Sequence, residues 1–180
     1  MDAIDACSLV ALVRYYLPFD KDSILLNFIE RKIESKEIIV LDKVYEQCAN
    51  IAKGIVVEKL PFLKVKKNQI NTSTYLPDAT FFNITDNNFI NGAVRNRWTT
   101  QEYEVKRREF LEDADAKLIL YCRKHTNLMD VPRIITEETE TSNDNKGFKK
   151  IPSLCKIVGV VPITLPEYLR ESEEVSFLFK

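Results

Sequence analysis

Met1-Asp2-Ala3-Ile4-Asp5-Ala6-Cys7-Ser8-Leu9-Val10-Ala11-Leu12-Val13-Arg14-Tyr15-Tyr16 opens the chain and decides its fold class. The apolar residues around Ala3-Ile4 read as a short buried strand that ends on the carboxylate of Asp5. Ser8 then reads as the cap of the following helix, because a serine oxygen accepts a free backbone N–H of the first turn. In an open α/β sheet ligands sit beyond the carboxyl ends of the strands, so Asp5 is placed to face a site. Aspartate at a strand end is also ordinary turn chemistry. The chemical reading therefore depends on other acids arriving at similar places.

Working outward, the first helix stops before Pro18, which restricts the residue ahead of it. Asp22-Ser23 opens a second helix over 24–34, which carries Leu25, Phe28, Ile29 and Ile33 on one face. Glu37-Ile38-Ile39-Val40 reads as a strand. Val44, Cys48 and Ile51 mark an amphipathic helix that ends at Gly54, with Asp42 and Glu46 on its flank. Residues 64–98 lose the helical period. They read either as an irregular insertion with some strand or short helix, or as a mobile lid. Thr99-x-x-Glu102 has the form of a capping box. Asp113 fits an N-cap and Asp115 the first turn of the apolar helix behind them. Arg133-Ile134-Ile135-Thr136 reads as a buried strand ending in Glu137-Glu138. A polar loop over 140–150 is expected to be flexible. Gly159-Val160-Val161-Pro162-Ile163 is a last strand near an edge, because proline cannot complete a ladder, and a short helix starts at Pro166.

Composition is consistent with that reading. A chain of 180 residues, 45% hydrophobic and 29% charged, suits one soluble globular domain over 1–180. No apolar run approaches the ~20 residues of a membrane helix. Asp2 and Asp5 stand where a signal peptide carries positive charge, so a cytoplasmic protein is expected. The four cysteines form no C-x-x-C pair, which favours reduced thiols behaving as small buried hydrophobes. With a net charge of -1, nucleic-acid binding would require a local basic patch.

Strands alternating with helices predict an α/β fold, a mainly parallel sheet flanked by helices in three layers. Asp5, Glu137/Glu138 and Asp113/Asp115 would then gather along one edge of the sheet. Clustered carboxylates repel one another unless a cation lies between them. Hard oxygen donors select Mg²⁺ or Mn²⁺, and the usual work of such a site is phosphodiester cleavage.

With these residues in view, the sequence resembles the PIN-domain family of metal-dependent ribonucleases. The resemblance lies in Ile4-Asp5-Ala6-Cys7-Ser8-Leu9, Val44-Tyr45-Glu46-Gln47-Cys48, Asp115-Ala116-Lys117-Leu118-Ile119 and Ile134-Ile135-Thr136-Glu137-Glu138. Lys150-Ile151-Pro152-Ser153-Leu154-Cys155 looks like a PIN-like subfamily that includes toxin-type proteins. The resemblance implies a Rossmann-like PIN fold and a Mg²⁺- or Mn²⁺-dependent endoribonuclease. It also implies the toxin of a toxin–antitoxin pair, with an antitoxin protein and a homodimer as partners. On this likeness Asp5 corresponds to the first metal ligand, Ser8 or Thr136 to a bracing hydroxyl, Asp115 to the third acid and Glu138 to the fourth, with Asp113 and Glu137 in support. At the second acid the family spacing falls on Gln47, not Glu46. Either Glu46 substitutes through a small helix rotation, or the site has lost an acid and the domain binds RNA or a protein without cutting. An unrelated α/β protein whose acids are caps and turns is the third alternative.

For a phosphate backbone the basic candidates are Lys64, Lys66 and Lys67, Arg95 and Arg97 beside Trp98, and Arg123-Lys124. Trp98 suits base stacking, or else packs in the core. Lys106-Arg107-Arg108 is interleaved with glutamates and reads as helix surface.

Overall fold

A computed structural model describes residues 1–127, 131–140, 146–172 and 174–175, without the side chains of residues 52 and 53. In chain order β1 is Asp2–Ile4, α1 Ala6–Ala11, α2 Ile24–Glu34, β2 Ile38–Leu41, α3 Asp42–Asn50 and α4 Ile55–Lys59. Then come β3 Gln69–Ile70, α5 Ala79–Ile84, α6 Gly92–Arg95, α7 Thr100–Glu112 and α8 Ala114–His125. β4 Arg133–Ile135, α9 Ile151–Val158, β5 Val161–Ile163 and α10 Leu165–Glu171 complete the described elements.

The five strands form one parallel sheet in the order β3-β2-β1-β4-β5. The expected α/β architecture, a parallel sheet flanked by helices, is what the chain adopts. β1 and β2 are buried along their whole length, as strands covered on both faces must be. β1 lies at the centre and registers Ile4 against Ile135 of β4. From β1 the chain moves outward through β2 and β3, then returns to the other side of β1 for β4 and β5. The strand order thus reverses between β1 and β4, and the carboxyl ends of these two strands flank a topological switch point.

At the opposite end of the same two strands, Asp2 and Arg133 are register partners. The Arg133 guanidinium donates to both carboxylate oxygens of Asp2, at 2.7 and 2.8 Å. This two-pronged contact raises the already high pKa of the guanidinium. Asp2 is thus an internal clasp of the sheet.

Several local expectations hold. Thr99 and Glu102 form the capping box of α7, and the Asp113 carboxylate accepts the Ala114 N–H at the start of α8. β5, with Pro162, is an edge strand. Others are corrected. Ser8 does not cap α1; it is buried inside the helix, whose N-cap position is Asp5. Asp20 accepts the Leu25 and Leu26 N–H groups at the head of α2, while Ser23 takes a left-handed turn. α3 ends at Asn50, and Gly54, with φ +76°, redirects the chain into α4.

The segment 64–98 contains strand β3 and the short helices α5 and α6. It supplies edge strand β3 and brings Phe81 and Phe89 fully into the core. Their rings meet edge to face at 5.6 Å, and Phe89 meets Phe110 of α7 the same way at 6.2 Å. Its second half is also tied to residues 147–149. Asn91 N–H donates to the Gly147 carbonyl, Lys149 N–H donates to the Phe89 carbonyl, and Ile90 pairs antiparallel with Phe148. Of the loop expected over 140–150, residues 141–145 lie outside the described residues. Among the described residues no helix is long and apolar enough to cross a membrane.

Candidate functional site

Asp5 follows β1 directly and occupies the N-cap position of α1, yet its side chain does not cap that helix. The carboxylate is turned instead toward the end of β4. Its Oδ2 accepts the Thr136 hydroxyl at 3.0 Å and the Cys7 thiol at 2.7 Å. The same residues are bound back to the chain. Glu138 N–H donates to the Thr136 hydroxyl oxygen, and Glu137 N–H donates to the Cys7 sulfur. Two adjacent strand ends are thereby locked around one carboxylate.

Asp5 is only 3% exposed. Burial pushes its pKa above the ordinary range, the two hydrogen bonds oppose that rise, and the Glu138 charge adds to it. Asp115, in the first turn of α8, is pushed up to about 8 by burial and then by the charges of Asp5, Glu138 and Asp113, while Lys146 acts in the opposite direction. Three acids remote in sequence therefore feel one another at the switch point. The Cys7 thiol is pushed up to about 12 by burial and by the Asp5 charge, so it is a neutral donor and not a nucleophile.

The remaining acids separate by role. Glu138 accepts the Ile151 N–H at the head of α9 through Oε2. Glu137 is drawn away from the cluster to cap α10, accepting the Leu165 N–H at 2.7 Å. Asp113 is exposed and caps α8. Glu46 is exposed and paired with Lys43 at 2.9 Å, so no helix rotation brings it inward. Gln47 is the half-buried neighbour, and its Oε1 is buried with no hydrogen-bond partner among the described residues. Ser8 Oγ is in the same condition. Of the two hydroxyls weighed as the brace, Thr136 is the one bound to Asp5.

The donor chemistry of Asp5, Asp115 and Glu138 suits a hard divalent cation, because the cluster concentrates negative charge with little compensation beyond Lys146. Among the described residues, no three His, Cys, Asp or Glu side chains are already gathered as a ligand set. The acids are neighbours in charge, not yet a closed cage.

Beside the cluster lies a cleft of about 740 Å³. Asp113, Asp115, Trp98 and Phe148 line it, and Lys106, Lys146, Lys149 and Lys150 supply positive charge. Of the residues predicted to bind RNA, only Trp98 lines it, and none of the predicted cations does. Arg95 lies over the Tyr103 ring at 4.1 Å and donates to the Trp98 carbonyl, which makes it a support for the wall. Arg97 is exposed outside the lining. Lys66 bonds Gln69 and Lys67 lies 4.0 Å from Glu34, both near the β3 edge. Sequence reasoning missed Cys7, whose signal was its place two residues beyond Asp5. It also missed the lysines around Gly147, whose signal was the Lys146-Gly147-Phe148-Lys149-Lys150 run.

Comparison with curated proteins and with solved structures finds no match. A family model described as "Domain of unknown function (DUF4411)" matches residues 3–177, nearly the whole chain, and the chain belongs to that family.

Proposed function

We propose that the protein is a metal-dependent ribonuclease whose site is built from Asp5, Asp115 and Glu138. What supports this reading is that Asp5 and Glu138 follow the neighbouring strands β1 and β4 and that the charges of both act on Asp115. Asp5, Asp115 and Glu138 would hold Mg²⁺ or Mn²⁺. A bound cation of this kind lowers the pKa of water and offsets charge on the scissile phosphate. The chain's own residues do the positioning. Thr136 and Cys7 fix the Asp5 carboxylate, the head of α9 fixes one oxygen of Glu138, and Lys146 brings positive charge beside Asp115. Such supporting contacts commonly set metal affinity.

One observation favours a second reading, a module that binds RNA or a protein without cutting. The inward residue of α3 is the amide Gln47, while the acid Glu46 is turned to solvent. Of the four acids that the resemblance implies, the one expected from α3 is then missing.

Thermal melts across a Mn²⁺ titration, on wild type and Asp5→Asn, decide between them. A ligand at a hundred times its Kd stabilises by ~2.7 kcal/mol. We expect a saturable rise for wild type, absent from Asp5→Asn, together with Mn²⁺-dependent cleavage of RNA by wild type alone. A rise without cleavage leaves the binding module. No rise in either protein removes the metal site.

A further inference from the structure

We infer that the cleft beside the acidic cluster binds single-stranded RNA with one unpaired base laid on the indole of Trp98. The inference rests on the nuclease reading for the nature of the ligand, while its physical basis is the wall of the cleft itself.

Trp98 is half-buried and lines the cleft, so its ring is neither a core residue nor a free surface side chain. Its position is built. The indole leans on Phe148 at 6.4 Å, and Phe148 lies flat on Phe110 at 4.1 Å with an interplanar angle of 7°. Beneath the indole is Gly147, where a Cβ would stand 2.1 Å from the Cη2 atom. Only a glycine lets the backbone come this close. The Gly147 carbonyl is held by Asn91 N–H at 2.8 Å, and the Lys149 N–H is bonded to Phe89 at the same distance. The backbone pairing thus anchors the strip that backs the ring.

Charge around the ring suits a phosphodiester chain. Lys146, Lys149 and Lys150 flank Gly147 in sequence and line the same cleft. Of the glutamates that also line it, Glu109 is paired with Lys106 at 3.0 Å and Glu112 with Lys117 at 3.1 Å. The cleft thus holds Trp98 and the lysines around Gly147 together with Asp113 and Asp115. A base on Trp98 would place backbone phosphates among the lysines of the cleft that Asp115 also lines. Aromatic stacking of this kind accepts any exposed base face, which a duplex hides inside its own stack.

Trp98 is the only tryptophan, so tryptophan emission, excited beyond the tyrosine band, reports this position alone. The probe is a ten-nucleotide oligouridylate, added to the full chain in EDTA to prevent metal-dependent cleavage. We expect saturable quenching, with affinity falling as salt rises. By anisotropy of a labelled oligomer, Trp98→Ala should weaken binding about ten-fold or more, and Trp98→Phe should retain most of it. Gly147→Ala, which displaces the ring, should also weaken binding. Lys149→Glu, an exposed change safe for folding, should weaken it and flatten the salt dependence. Overturning results are absent quenching, equal binding by wild type and Trp98→Ala, or equal quenching by a duplex. A protein or peptide that quenches where RNA does not would likewise overturn the inference. Quenching by RNA with no Mn²⁺ response at Asp5 would remove the nuclease reading and leave this inference standing. Metal-dependent cleavage with unchanged oligomer affinity in Trp98→Ala would do the reverse.

Discussion

The Thr136 hydroxyl donates to the Asp5 carboxylate across 3.0 Å, joining residues that are 131 positions apart in sequence but follow neighbouring strands. The bond also aligns what comes next, because the same hydroxyl oxygen accepts the Glu138 N–H at 3.1 Å. Thr136→Val removes both functions with little change in shape. It should cost ~1–3 kcal/mol of stability, since a buried carboxylate loses a donor and a buried N–H an acceptor. Mn²⁺ affinity should fall ~10-fold or more, while Thr136→Ser stays near wild type. Melts with and without Mn²⁺ measure both. Unchanged Mn²⁺ affinity in the valine variant would show that the brace does not act on the site.

Asp115 gives a prediction in pH. Its pKa rises from an ordinary 3.8 to about 8 in the fold. Between those values, without divalent cation, the folded chain keeps a proton that the unfolded chain has released. The contribution of Asp115 to stability is therefore fully present at low pH and is lost as pH climbs toward 8. Asp115→Asn should flatten that decline and leave the protein more stable at pH 8, by about 1 kcal/mol or roughly 2–4 °C in Tm. Excess Mn²⁺ should oppose the decline in wild type only, because metal binding requires the ionised carboxylate. A variant less stable than wild type at pH 8 in EDTA would contradict this account of Asp115.

Gln47 and Glu46 separate by the direction of adjacent side chains on α3. Under the nuclease reading, in which α3 supplies the second acid, Gln47→Glu should tighten Mn²⁺ binding, and it should lower stability in EDTA by ~1–3 kcal/mol, as a buried carboxylate without a partner does. Glu46→Ala, at an exposed position, should change either quantity by no more than ~0.5 kcal/mol. Calorimetric titration with Mn²⁺ distinguishes them. The opposite pattern would place Glu46 in the site.

Phe89 tests whether the segment 64–98 is integral to the fold. Its fully buried ring joins Phe81 to Phe110. Phe89→Ala should cost ~3–5 kcal/mol in urea unfolding. A loss below ~1 kcal/mol would mean that the segment packs only loosely on the domain.

Much of the fold was legible because its cause is local. The helical spacing of Leu25, Phe28, Ile29 and Ile33, the capping box of Thr99 and Glu102 and the Asp113 cap each depend on residues within one or two turns. The apolar runs at Ala3-Ile4 and Ile38–Leu41 announced strands buried on both faces. Ser8 misled because a serine near a helix start is the commoner cap, whereas the chain had already entered α1 at Ala6.

By itself, then, the sequence determined the α/β class, the places of the main helices and the acids that stand at element ends. Tertiary structure alone decided that β4 lies beside β1, which brings Thr136 onto Asp5. It decided that Gln47 and not Glu46 turns inward, and that residues 147–149 pair with 89–91 to set Trp98 over Gly147. The physical reason is range. Periodicity and capping are satisfied within a few residues, whereas strand neighbours, the facing of one helix side chain over the next and the meeting of two distant loops are set by how the whole core closes.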